Sequence, residues 1–237
     1  MTTEEFSNEF DTLLNSYSTI EAFGKTPSTV ELDEYEKSVF LTNAQEEIVI
    51  GMYNGKNPFG DSFERTEEIR RYLSDLIKTY TTTDKKVGYT GLSKSSVFFE
   101  LPDDLWFITY ESVNLKDDGL GCMSGEDISV IPITQDEYHR IRKNTFRGTN
   151  ESTTKKAEII VGPNDTLTAY NIRYIKRPQA IILSDLEGVT LDNKTTAQEC
   201  ELDPILHQEI LQRAVELAKA AYIGDLNSNV ELGKRSE

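Results

Sequence analysis

Apolar positions recur at helical spacing in the first third of the chain and again near its end. Between these regions they alternate with polar positions. Residues 3–23 place Phe6, Phe10, Leu13, Leu14 and Tyr17 on one stripe, with Thr3 as the cap. Gly24 to Pro27 interrupt that pattern. A second helix is predicted from Asp33, with Glu36 completing a capping box. It carries Tyr35, Phe40, Leu41, Ala44, Ile48 and Met52 and stops at Asn54-Gly55. A third is predicted over 62–80, with Ile69, Tyr72, Leu73, Leu76, Ile77 and Tyr80 at helical spacing. From about residue 95 the pattern turns to period two. Strands are predicted at Val97–Glu100, Leu105–Val113, Ile128–Ile133, Ala157–Val161 and Leu167–Lys176. Leu101 to Asp104 reads as a turn, and Gly162-Pro163-Asn164-Asp165 as a hairpin turn. Thr134 can cap a short helix over 135–142.

An apolar run, Ala180 to Leu183, and a polar loop lead to the best-specified helix, over 204–222. Asp203 is a good N-cap, because its carboxylate can accept from the free N–H groups of the first turn. Pro204 fits the first helical position, where its missing N–H costs nothing. Leu206, Ile210, Ala214, Leu217 and Ala221 form its stripe, widened by Leu211, Val215, Ala218 and Tyr222, and Gly224 can end it. The fold class is therefore α+β. Three N-terminal helices (1–82) and the C-terminal helix (200–224) are expected to make a helical bundle base. A β-rich insert (95–183) projects from it, and a polar tail (225–237) follows.

Composition narrows the function classes. The 237 residues carry a net charge of −16, which opposes a nucleic-acid-binding surface over most of the protein. With 37% hydrophobic residues the chain is globular rather than disordered. Cys122 and Cys200 are far apart, without metal-like spacing, and fit free thiols in a reducing compartment. The N-terminus lacks the apolar core of a signal peptide. No stretch reaches the roughly 20 apolar residues of a membrane span.

Candidate chemistry is sparse. His207 opens the last helix beside Asp203 and Glu209, and the chain has one other histidine, His139. Asp185, Glu187 and Asp192 can gather round a divalent cation, but their spacing matches no EF-hand, and a solvated loop is the simpler reading. There is no phosphate loop, nucleophile elbow or CxxC, so neither enzymatic activity, metal nor cofactor is expected. Basic residues cluster at Arg140, Arg142, Lys143 and Arg147, at Lys155 and Lys156, and at Arg173, Lys176 and Arg177. They read either as a nucleic-acid patch or as a subunit contact meeting acidic faces such as Asp103-Asp104, Asp117-Asp118 or Glu46-Glu47 on a neighbour. The interleaved apolar residues and the overall charge favour the second.

Two segments carry a resemblance. Pro132 to Gly148 is similar to a stretch in structural proteins of crAss-like bacteriophages. Tyr174-Ile-Lys-Arg177-Pro178, followed by Glu201 to Ile210 and an Ala/Val/Leu-rich helix, resembles the end of head-to-tail adaptors in short-tailed phages, the relatives of the tail tubular A protein. The resemblance implies a virion protein at the head–tail interface, made in the bacterial cytoplasm. It implies a dodecameric ring under the portal that extends the DNA channel without specific DNA binding and docks the next neck or tail ring. On that reading the basic residues, His207, and Asn227 and Arg235 of the polar tail become subunit or partner contacts. Two other classes remain as alternatives. One is a small acidic binding or regulatory module acting on a host or phage protein. The other is a metal-dependent hydrolase using Asp185, Glu187 and His207.

Overall fold

A computed structural model describes residues 1–16, 32–56, 62–116, 127–133, 156–160 and 166–223. The chain divides into two compact units: Met1–Leu76 with Pro178–Glu237, and Ile77–Arg177.

The first unit is helical. Helix α1 is described over Thr3–Ser16, and the rest of the expected 3–23 span lies outside the described residues. Its cap is Thr2 rather than Thr3. Thr2 Oγ1 accepts from Glu5 N at 3.2 Å, and Glu5 Oε2 accepts from Thr2 N at 2.8 Å. Helix α2 (Glu34–Asn54) has the predicted ends: Asp33 Oδ1 accepts from Glu36 N at 2.7 Å, and Gly55 closes it at φ 74°. Helix α3 (Glu67–Tyr72) is followed by a 3₁₀ turn, Ser74–Leu76. Helix α4 (Pro204–Ile223) starts as expected, with Asp203 Oδ1 accepting from Ile205 N at 3.0 Å. Its buried stripe runs from Leu206 through Ile210, Leu211, Ala214 and Val215 to Ala218; Ala221 is exposed. Helix α4 packs mainly on α2 and also on α1.

Helix α2 is buried on more than an apolar stripe. Its buried residues include Lys37, Ser38, Thr42 and Gln45. Three of these face the extended run 179–183. Gln45 Nε2 donates to Gln179 O at 2.8 Å, Ile181 N donates to Thr42 Oγ1 at 3.1 Å, and Leu183 N donates to Ser38 Oγ at 3.0 Å. Ile182 exchanges backbone hydrogen bonds with Gln198. Buried N–H groups must be paired; here helix side chains stand in for a neighbouring strand. The four residues Ala180 to Leu183 can then be fully apolar and buried without belonging to a sheet.

Lys37, only 3% exposed, ties α1 to α2. Its Nζ lies 2.6 Å from Asp11 Oδ2, 3.1 Å from Glu34 Oε1 and 3.1 Å from Ser7 Oγ. Burial works against its charge, but the hydrogen bonds to Asp11 and Glu34 outweigh it and hold the ammonium above the usual lysine range.

The second unit contains two antiparallel sheets. The strands are β1 (Ile77–Thr82), β2 (Lys85–Lys86), β3 (Ser96–Glu100), β4 (Leu105–Leu115), β5 (Asp127–Ser129), β6 (Lys156–Ile160) and β7 (Leu167–Lys176). One sheet has the order β1-β7-β4-β5 and the other β2-β3-β6. Their inner faces share one core containing Phe99, Leu101, Val113, Leu115, Ile159, Leu167, Tyr170 and Ile172. The Phe99 and Tyr170 rings stack across it, 5.3 Å apart.

Two expectations fail here. The helix predicted over 62–80 ends at Tyr72, and Ile77 to Thr82 form a strand instead. Ile77-Lys-Thr-Tyr-Thr-Thr82 is rich in β-branched and aromatic residues. Six consecutive register pairs with β7, from Ile77↔Ile175 to Thr82↔Tyr170, outweigh the helical spacing. The second failure is the hairpin at 162–165. Strand β6 pairs with β3, while β7 pairs with β1 and β4, so the two strands lie in different sheets. The turn residues themselves lie outside the described residues, as does the helix expected over 135–142. A turn sequence can reverse the chain without deciding which strand the next one joins.

Candidate assembly surfaces

His207 is 4% exposed, and both its ring nitrogens are engaged. Nε2 lies 2.9 Å from the carbonyl oxygen of Leu202, and Nδ1 lies 2.7 Å from the Met1 amino group. Only a protonated Nε2 can donate to the carbonyl, which leaves Nδ1 as the acceptor. Phe6 packs against the ring at 5.3 Å. Burial lowers the imidazole's pKa below its ordinary value. The side chain is thus used inside its own subunit, joining the starts of α1 and α4.

The acidic loop assembles no metal site. Asp185, Glu187 and Asp192 are all exposed, and Asp185 Oδ1 accepts from Ala197 N at 2.9 Å, closing its own loop. Among the described residues no group of three His, Cys, Asp or Glu can hold a metal ion. The proposed trio of Asp185, Glu187 and His207 is therefore not brought together. Cys200 is a free thiol that donates to Gln45 Oε1 at 3.2 Å. Burial pushes its pKa up to about 11, which leaves it protonated and unreactive at neutral pH. Cys122 lies outside the described residues.

Two buried carboxylates in the second unit were not singled out from the sequence. Glu111 accepts from the Tyr170 hydroxyl at 2.6 Å. Burial raises the carboxyl's pKa and the Tyr170 hydrogen bond opposes that rise; burial, with the Glu111 carboxylate beside it, also pushes the phenol up. Glu158 accepts from Leu92 N at 2.7 Å and from the Ser96 hydroxyl, fastening the 91–96 loop over β6. A Cβ on Gly91 would lie 2.3 Å from Glu158 Oε1 and 2.4 Å from Ser96 Cβ, so this position requires glycine. Glu111 was legible in principle, because it shares the inward parity of Val113 and Leu115 on β4.

The basic clusters divide. Arg140, Arg142, Lys143, Arg147 and Lys155 lie outside the described residues, as do Asn227 and Arg235 of the tail. Lys156 sits over the Tyr89 ring, 3.7 Å from its centroid. Arg173 and Arg177 are exposed, and Lys176 is half-buried. Arg173 belongs to the open face of the four-stranded sheet, with Thr79, Thr81, Tyr110, Asn114, Asp127, Thr168 and Asn171. That face is hydroxyl- and amide-rich, and Asn171 Nδ2 bonds Asn114 Oδ1 at 2.7 Å.

Charge separates the two units completely. Residues Ile77–Arg177 contain as many Lys and Arg as Asp and Glu, so the net −16 resides wholly in the helical unit. All nine clustered basic residues fall in the neutral β-unit. On the helical unit, Arg213 is held between Glu47 at 2.7 Å and Glu216 at 2.9 Å, in a groove between α2 and α4. No helix among the described residues is long and apolar enough to cross a membrane.

What this geometry offers is contact surface: a strongly acidic helical unit and a neutral sheet unit with one open polar face. Such a division suits a protein that works by assembly. The model of the family described as phage tail ring protein 3/4 matches residues 1–230. Ring protein 3 of Bacteroides phage crAss001 is 50% identical over 225 residues, covering 92% of this chain and 95% of that protein. Ring protein 4/5 of the same phage is 38% identical over 253 aligned positions, covering both proteins entirely. The chain belongs to the phage tail ring protein 3/4 family and is a structural virion component, as the adaptor resemblance implied.

Proposed function

We propose that this protein is a subunit of a head-to-tail adaptor ring below the portal, with about twelve copies closing round the DNA channel. The match to the tail ring family over residues 1–230 carries this reading. The helices form the rigid base of each subunit. With all of the net −16 in the helical unit, a lumen lined by that unit repels phosphate and lets DNA slide rather than stick. The basic residues of the β-unit, from Arg140 to Arg177, then meet acidic helical surface on the neighbouring copy. The tail 225–237, with Asn227 and Arg235, docks on the portal or the adjacent ring.

Native mass spectrometry of the chain, alone and mixed with its cognate portal ring, tests the proposal. The expected result is a portal-bound complex of about twelve copies. A chain that stays monomeric or dimeric and ignores the portal overturns it and favours the small binding module. A basic lumen in an assembled ring would overturn the sliding-channel part. Truncation of 226–237 is expected to weaken docking, and unchanged binding would remove the tail from the interface.

A further inference from the structure

The sheet β1-β7-β4-β5 ends in two edges. Strand β1 pairs with β7 over six consecutive residues, without bulge or proline. Lys78, Thr79 and Thr81 are exposed. Among the described residues no further hydrogen-bond partner meets the outer backbone groups of β1. A regular, uncovered edge of this kind is a template for another strand. The opposite edge, β5, is short and equally uncovered among the described residues.

The two edges fit one another. All pairings in the sheet are antiparallel, so with four strands β1 and β5 run in opposite directions. Rotating a copy about a ring axis therefore brings β5 of one subunit antiparallel to β1 of the next, and the alternation continues unbroken. The faces match as well. Tyr80 and Ile128 are half-buried and pack on the two ends of the same core. Thr79, Thr81 and Asp127 lie on the open polar face, and Ser129 joins them through Tyr110, whose hydroxyl is 3.3 Å from Ser129 Oγ.

We infer that β1 of each subunit pairs with β5 of its neighbour, in the register Thr79↔Ser129, Tyr80↔Ile128 and Thr81↔Asp127, so that one sheet runs round the ring. This inference rests on the ring reading above. An aromatic–β-branched pair then continues the apolar face, while hydroxyl–hydroxyl and hydroxyl–carboxylate pairs continue the polar one. Four strands at about 4.8 Å give each copy about 19 Å of circumference. About twelve copies then close at a diameter of about 70 Å, wide enough to pass double-stranded DNA.

Cysteine cross-linking in the assembled ring tests this. Full-length Thr79→Cys/Ser129→Cys and Thr81→Cys/Asp127→Cys variants, with Cys122 and Cys200 replaced by serine, are oxidised with copper phenanthroline. Within one chain the paired positions are three strand spacings apart, about 14 Å, too far for a disulfide. The expected result is a ladder of covalent multimers in steps of 26.9 kDa. Each single-cysteine variant is expected to remain uncross-linked. A ring seen by native mass spectrometry with no ladder from either double variant overturns the edge pairing and leaves the ring reading standing. Dimers from Thr79→Cys alone indicate a two-fold β1–β1 contact and also overturn it. Absence of any ring overturns both.

Discussion

The hydrogen bonds from α2 to the 179–183 run make a sharp claim about stability. In Thr42→Val the side chain keeps its shape, but Ile181 N loses its acceptor at 3.1 Å. In Ser38→Ala, Leu183 N loses its acceptor at 3.0 Å. Both sites are buried, so water cannot replace the lost partner, and an orphaned buried N–H costs about 1–3 kcal/mol. The double variant should lose about 2–6 kcal/mol on the same basis, with departures from additivity because both residues hold one segment. Thr42→Ser is the control: it keeps the hydroxyl and loses one methyl, about 1 kcal/mol. Urea denaturation at constant slope measures the loss. Amide exchange localises it, with the Ile181 and Leu183 amides exchanging about 5- to 150-fold faster in their respective variants. A loss below about 0.5 kcal/mol with both amides still protected would refute the reasoning, because it would mean those N–H groups have another partner.

Three further outcomes follow from the geometry. Lys37→Met keeps the buried stem but removes charge-assisted bonds to Asp11 and Glu34; both acceptors are partly exposed, so chemical denaturation should show a loss of only about 1–3 kcal/mol. Gly91→Ala forces Glu158 and Ser96 apart, and thermal unfolding should show a lower midpoint with the loss assigned to the β-unit; an unchanged midpoint would mean that the 91–96 loop shifts freely. The His207 pKa is lower in the folded than in the unfolded chain, so its neutral form contributes stability above about pH 6.5. That contribution is lost as pH falls through 6.5 toward the depressed value, by at most about 1.4 kcal/mol per pH unit. The stability gap between the wild type and His207→Gln should therefore be constant above about pH 6.5 and narrow as pH falls below it, and a gap that stays unchanged below pH 6.5 would contradict the assignment.

Much of the helical unit was legible because its information is local. Asp33, Glu36 and Gly55 specify the ends of α2 by side chains and backbone within one turn of the boundary. Asp203 and Pro204 do the same for the start of α4. The resemblance at Tyr174–Pro178 and Glu201–Ile210 was legible too, and it led to the right family.

The remaining features depend on residues distant in sequence. Ile77 to Thr82 fits either a helix or a strand until β7, nearly a hundred residues later, is brought alongside. Ser38, Thr42 and Gln45 are polar and stand outside the apolar stripe expected for α2, and only the docking of 179–183 makes them buried acceptors and donors. Strands β6 and β7 follow one another in sequence yet join different sheets, because pairing is decided by which strand completes the shared core. The sequence alone determined the ends of α2 and the start of α4, the presence of strand-forming segments and the net charge. Only the tertiary structure decided strand partners, which polar side chains are buried, and that all the net charge lies on one unit. Capping and propensity act over a few residues, whereas pairing, burial and charge segregation act between segments that meet only on folding.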